Sequence, residues 1–123
     1  MEGKLENSIK SVQITANVKF SELYTKFLMN LKHEDGMSFD LSGVYVYGPL
    51  DLIERNTTYE VAKYDKNHFL IGQDGDIGYF INAIESLDES IYEADLGALG
   101  SIEMEKIADN IDDWLSALIG DLL

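Results

Sequence analysis

Cysteine is absent from this chain, so disulfide frameworks, zinc knuckles and thiol nucleophiles are excluded, and the core must hold without a covalent or metal staple. Basic residues are scarce. Nine Lys and Arg stand against 23 Asp and Glu, which gives a formal charge of −14 and a pI near 4.2. Phosphate binding needs a basic stripe, and no stretch clusters Lys or Arg, so nucleic acid is a disfavoured ligand. An anionic membrane surface is disfavoured for the same reason. No run of about eighteen apolar residues occurs, and Met1 to Lys10 has no apolar stretch of signal-peptide length, so a cytoplasmic address is expected. Proline occurs once and histidine twice, which leaves little material for kinks or for imidazole chemistry.

What remains is ordinary globular material. An apolar fraction of 46% in 123 residues is enough for one hydrophobic core and too little for two, so residues 1–123 read as a single domain. Val12, Ile14, Ala16 and Val18 alternate, predicting a short strand. From Phe20 the spacing becomes that of an amphipathic helix through Leu23, Tyr24, Phe27, Leu28 and Leu31, with Ser21 as its N-cap. The helix ends before the polar stretch His33 to Gly36. Gly43 to Gly48 reads as a strand, and Pro49 suits the first turn of a helix over Leu50 to Val61. Phe69-Leu70-Ile71 and Ile77 to Ile81 form a hairpin across the turn Gly72 to Asp76, and Ser90 to Asp95 adds a further strand. Met104, Ile107, Ala108, Ile111, Trp114, Leu115 and Leu118 mark a terminal helix that Ser101 can cap, with Glu103 and Glu105 at its positive N-terminal end. The expected class is α+β, a mainly antiparallel sheet with amphipathic helices packed on one face.

The chemistry-bearing candidates thin out quickly. If Asp74 opens a calcium loop, Tyr79 falls where the sharp turn demands glycine, and Ile77 to Ile81 is apolar, so a hairpin turn is the better reading. His33 lies in a polar loop and His68 opens a strand, neither beside a nucleophile motif. No catalytic residue, metal or cofactor is therefore expected. Trp114 belongs to an apolar stripe and reads as core. Tyr45 and Tyr47 share one strand face and Val44 and Val46 the other, which leaves open the face that meets solvent or a partner. On the expected terminal helix, Glu105, Asp109 and Asp113 stand four apart and repel by about 0.2–0.5 kcal/mol per neighbouring pair. Asp112 and Asp113 approach its negative end. With Asp88, Glu89, Glu93 and Asp95 upstream, these residues form the candidate partner-binding set, opposed by the reading of a merely solvated acidic face.

Taken together, the helix ending Tyr24-Thr25-Lys26-Phe27-Leu28, the strand Gly43 to Gly48, and Pro49 to Val61 with its Ile53-Glu54-Arg55-Asn56 form one pattern. The run Phe69 to Gly78 continues it, followed by Ile91 to Asp95 and Ile107 to Leu115. In order and spacing this pattern resembles the SUKH superfamily, the domain of fungal cell-wall regulators (Smi/Knr) and of many bacterial immunity proteins. Residues 1–19 are atypical, since the family usually opens with a further helix before Phe20. The resemblance implies a non-enzymatic protein-binding module. In its bacterial branch that is an immunity protein that binds and blocks a toxin, often a nuclease; in its fungal branch it is a regulatory scaffold binding endogenous proteins. Independently, an acidic chain attracts a basic protein partner, which suits the blocking of a basic nuclease.

Overall fold

Two helices, α1 (Glu2–Ala16) and α2 (Glu22–Met29), lead into strands β1 (Gly36–Phe39) and β2 (Val44–Tyr47). Helix α3 (Pro49–Thr58) and the single turn α4 (Val61–Tyr64) follow, then β3 (His68–Asp74), β4 (Ile77–Asn82), β5 (Ile91–Asp95), a 3-10 turn at Leu96–Ala98, β6 (Glu105–Ala108) and α5 (Ile111–Gly120). The computed structural model describes residues 2–31, 34–39 and 42–120; His33 lies outside them. The strands form one six-stranded sheet in chain order, every neighbouring pair antiparallel. The α+β class is as the sequence predicts.

The segment expected as a strand is part of α1. Leu5, Ile9, Val12 and Ala16 recur at helical spacing and turn inward, whereas Ile14, which alternation would bury, is 80% exposed. The helix stops at Asn17, whose φ of 54° is left-handed. The Asn17 N–H donates to the Ile14 carbonyl and the Val18 N–H to the Gln13 carbonyl, which is the Schellman closure that asparagine tolerates. Helix α2 starts at Ser21 as predicted, its Oγ accepting from the Tyr24 N–H at 3.4 Å. Pro49 opens α3. The expected continuation to Val61 fails at Glu60, whose φ of 52° breaks the helix and starts α4 at a new angle.

Helices α2 and α5 meet the same sheet face. Phe20, just before α2, packs its ring 5.7 Å from Phe69, and Trp114 of α5 lies 4.8 Å from Tyr79. Phe69 pairs with Ile81, which alternates with Tyr79 to the same side. The opposite face, bearing Leu70, Gly78 and Phe80, is roofed by Leu96. A Cβ on Gly78 would sit 2.7 Å from the Leu96 side chain and 2.8 Å from Phe80, so only glycine lets this roof close. Trp114 is core, as expected.

β2 pairs with β3 only at Tyr45↔Gln73 and Val46↔Gly72 before the chain turns into α3. Beyond that point the outward backbone groups of Leu70 have no strand partner. Asn56 of α3 supplies one: its Oδ1 accepts from the Leu70 N–H at 2.9 Å, and its Nδ2 donates to the Leu70 carbonyl at 2.9 Å. The side-chain amide thus mimics a strand residue where the sheet would otherwise have a buried open edge.

The expected terminal helix from Ser101 is corrected more deeply. Residues 105–108 form β6, pairing Glu93↔Glu105, Tyr92↔Lys106 and Ile91↔Ala108, and only then does α5 begin. Its cap is Asn110, whose Oδ1 accepts from the Asp113 N–H at 2.8 Å. The apolar spacing through 104–108 fits a helix, but these residues pair with β5 at three positions, with a register shift between Ile91 and Tyr92, and tertiary pairing overrides local periodicity.

Candidate functional site

The acidic residues singled out in the sequence do not form one ladder. Glu105 lies on β6, Asp109 in the turn after it, and Asp112 and Asp113 in the first turn of α5, where the positive helix end favours them instead of opposing them. The register of β5 with β6 divides the set. Ile91 faces Ala108 and Glu93 faces Glu105, so Asp88, Glu89, Asp109, Asp112 and Asp113 gather at one end of this strand pair, with Glu93, Asp95 and Glu105 at the other.

At the first end the charges are engaged within the fold. Asp88 accepts from the Tyr92 hydroxyl at 2.6 Å, the Ser90 N–H at 3.0 Å and the Asn82 amide at 3.2 Å. Partial burial alone would raise its pKa, but these hydrogen bonds outweigh it and hold Asp88 at about 2. Glu89 Oε2 accepts from the Leu23 N–H at 3.3 Å, tying the β4–β5 loop to the positive end of α2. Asp109 pairs with Lys106 at 2.9 Å.

At the second end they are not. Glu93 and Glu105 are directly opposite on antiparallel strands, the arrangement in which like charges destabilise a sheet. With Asp95 and Glu103 they surround a hollow of about 200 Å³ floored in part by Ala94 and Ala98. Ile102 lines it and stands 72% exposed. Among the described residues none of these four carboxylates has an ion-pair partner; Asp95 Oδ1 accepts from the Gly97 N–H at 2.8 Å. Behind them Tyr79 leans on Trp114, its hydroxyl pushed up in pKa by burial and then by the charges of Glu93 and Asp74. Residues 67–123 carry 13 of the 23 acids and one Lys, Lys106, so the β3–β6 half holds most of the negative charge.

Glu103 and Ile102 were missed as site residues because a helical reading placed Glu103 at a helix start. The signal was Ile102 itself, an apolar residue off the stripe that begins at Met104. The remaining candidates resolve as structure. Gly75 and Asp76 are a two-residue hairpin loop with Asp74 facing Ile77 and Gly75 at a φ of 58°. Tyr47 is buried with its hydroxyl on the Gln73 side chain, while Tyr45 is half-buried with its hydroxyl on the Asp35 carbonyl. Since Val44 and Val46 are buried too, neither face of β2 is open. His68 Nδ1 lies 3.0 Å from Asp65, and no hydroxyl bonds to its ring among the described residues. No group of three or more His, Asp or Glu suited to a metal occurs among them. No helix searched is long and apolar enough to cross a membrane. The chain matches no protein-family model, and no curated protein is similar to it at a significant level.

Proposed function

We propose that this chain is a SUKH-like protein-binding module of the immunity type, cytoplasmic and without catalysis of its own, whose β5–β6 end docks on a basic toxin domain. The observation that carries the reading is the opposed pair Glu93 and Glu105 beside Asp95 and Glu103, with no cation paired to them among the described residues. Such a pair costs folding stability, and a basic partner removes the cost. Ile102 at 72% exposure supplies the apolar contact that a ring of charge lacks, since binding energy concentrates at desolvated centres within polar rims. Helix α1 adds support, because a leading helix before Phe20 is the feature that the alternation reading had denied to the family likeness.

The reading expects a neighbouring gene whose product ends in a variable, basic domain. Purified, that domain should bind this chain with an association rate that falls from 0.01 M to physiological salt, as the Debye length contracts from about 30 Å to about 8 Å. The double variant Glu93→Gln, Glu105→Gln should associate more slowly yet unfold later, by about 0.2–1 kcal/mol. Association indifferent to both salt and the double substitution would refute the assignment of this surface. Several partners with no common charge would favour the scaffold branch instead.

A further inference from the structure

A second concavity lies away from the acidic hollow, where the ends of α1 and α3 meet α4 and the start of β3. It encloses about 800 Å³, within the range of small-molecule sites. Its floor is apolar, with Val61 and Phe69 buried and Val18 and Ile53 beside them, and Ile84 stands at its rim 66% exposed. The polar lining is distinctive for so acidic a chain. Among the described residues, every Lys or Arg has a carboxylate within ion-pair distance except Lys19 and Lys66. Lys66 lines this cleft, and Lys19 follows Val18, which lines it too.

Of the two acids at the cleft, Glu60 is paired with Lys63 at 3.4 Å, and Asp65 is held by a hydrogen bond to His68 at 3.0 Å. Helix ends also approach, and free carbonyls there would repel an anion. Four of those carbonyls are occupied: the N–H groups of Asn17 and Val18 donate to Ile14 and Gln13 at the end of α1, and those of Tyr59 and Glu60 to Arg55 and Thr57 at the end of α3. Lys66 is then the one ammonium lining the space that has no carboxylate within ion-pair distance among the described residues. With Nδ1 on Asp65, His68 keeps Nε2 as its second polar atom, with no hydrogen-bond partner among the described residues.

We infer that this cleft binds a small anionic amphiphile, a carboxylate on an apolar body, with the carboxylate at Lys66 and the body over Val18, Val61 and Phe69. The site is independent of the protein-docking surface, and its failure would leave that reading untouched. The probe is octanoate, titrated against the full chain and followed by amide NMR shifts, with octanol and octylamine as neutral and cationic counterparts. Octanoate should move the amides of 16–18, 62–68 and 83–84, and bind about two- to fivefold more tightly than octanol, the worth of one ion pair at an exposed lysine. Lys66→Glu should abolish the preference for octanoate, and Ala62→Phe, at an exposed lining position, should block all three probes without lowering the melting temperature. Unmoved cleft amides, equal binding of octanol, or preference for octylamine would each overturn the inference.

Discussion

Replacing Asn56 by alanine removes three hydrogen bonds, and the structure says which of them matter. The bond from Nδ2 to the Leu52 carbonyl, at 2.9 Å, is dispensable, because that carbonyl lies inside α3 and keeps its helical N–H. The two bonds to Leu70 are not. Leu70 is fully buried, β2 has already turned away, and among the described residues nothing else reaches its outward N–H and C=O. Each buried group left without a partner costs about 1–3 kcal/mol. Water entering the vacated space would recover part of this, so the expected loss is about 2–4 kcal/mol. With a urea m-value of about 1–3 kcal/mol/M for a chain of this size, the midpoint should fall by roughly 1–2 M with m unchanged. Native-state exchange supplies the local readout: the Leu70 amide should lose protection ahead of its neighbours in β4. Asn56→Asp retains an acceptor for the N–H but aims a carboxylate oxygen at the Leu70 carbonyl, and should be no more stable than the alanine variant. A midpoint shift below roughly 0.3 M, or an Asp variant as stable as wild type, would mean that the amide does not complete the sheet.

Tyr24 is 1% exposed and its hydroxyl has no hydrogen-bond partner among the described residues, while its ring packs against Phe20 at 5.0 Å; Tyr24→Phe should therefore leave thermal stability unchanged or raise it by up to about 1 kcal/mol, and a loss would reveal a partner for the hydroxyl. Asp88, held at about 2 against an ordinary 3.8, should contribute stability in full above 3.8 and lose it as pH falls toward 2. Tyr92→Phe deletes one of its hydrogen bonds and should raise the Asp88 carboxyl titration seen by NMR, moving the acid transition to higher pH; an unshifted titration would show that the phenol does not hold this carboxylate.

The parts of the fold legible in the sequence are those whose signals are local. Ser21, Pro49 and Gly75 each act through their own backbone geometry, and each stands where the sequence puts it. The errors fall where two periodicities compete or where pairing is remote. Val12, Ile14, Ala16 and Val18 satisfy alternation, yet Val12 and Ala16 satisfy a helix together with Leu5 and Ile9, and length decides: a run reaching back to residue 2 exceeds a short strand. Asn17 was a legible stop signal for that helix. β1 carries one buried residue, Phe39, too little for a pattern to show. β6 is held by β5 and not by its own composition, so its Met104, Ile107 and Ala108 counted toward the wrong element.

That last error changes what the acidic residues mean. On one continuous helix, Glu105, Asp109 and Asp113 would have repelled one another along one face, with Asp113 also near the negative end of the dipole, and the ladder as a whole would have been suspect. With β6 and α5 separated, Asp109 has Lys106, and Asp112 and Asp113 sit at the favourable end of a helix dipole. Asp88 and Glu89 are anchored by hydrogen bonds at the same end. Asp88, Asp109, Asp112 and Asp113 therefore each have a structural reason to be acidic, whereas Glu89 is held through one oxygen and its Oε1 is buried with no hydrogen-bond partner among the described residues. Glu93 and Glu105 have none: a neutral residue at either position would pair across the strands without repulsion, and no lysine pairs with either among the described residues. Within the candidate set, the exposed charge that the fold does not explain lies at the sheet end where Ile102 is also exposed. Electrostatic cost and apolar exposure coincide there for separate reasons of sequence, and one basic partner would relieve both.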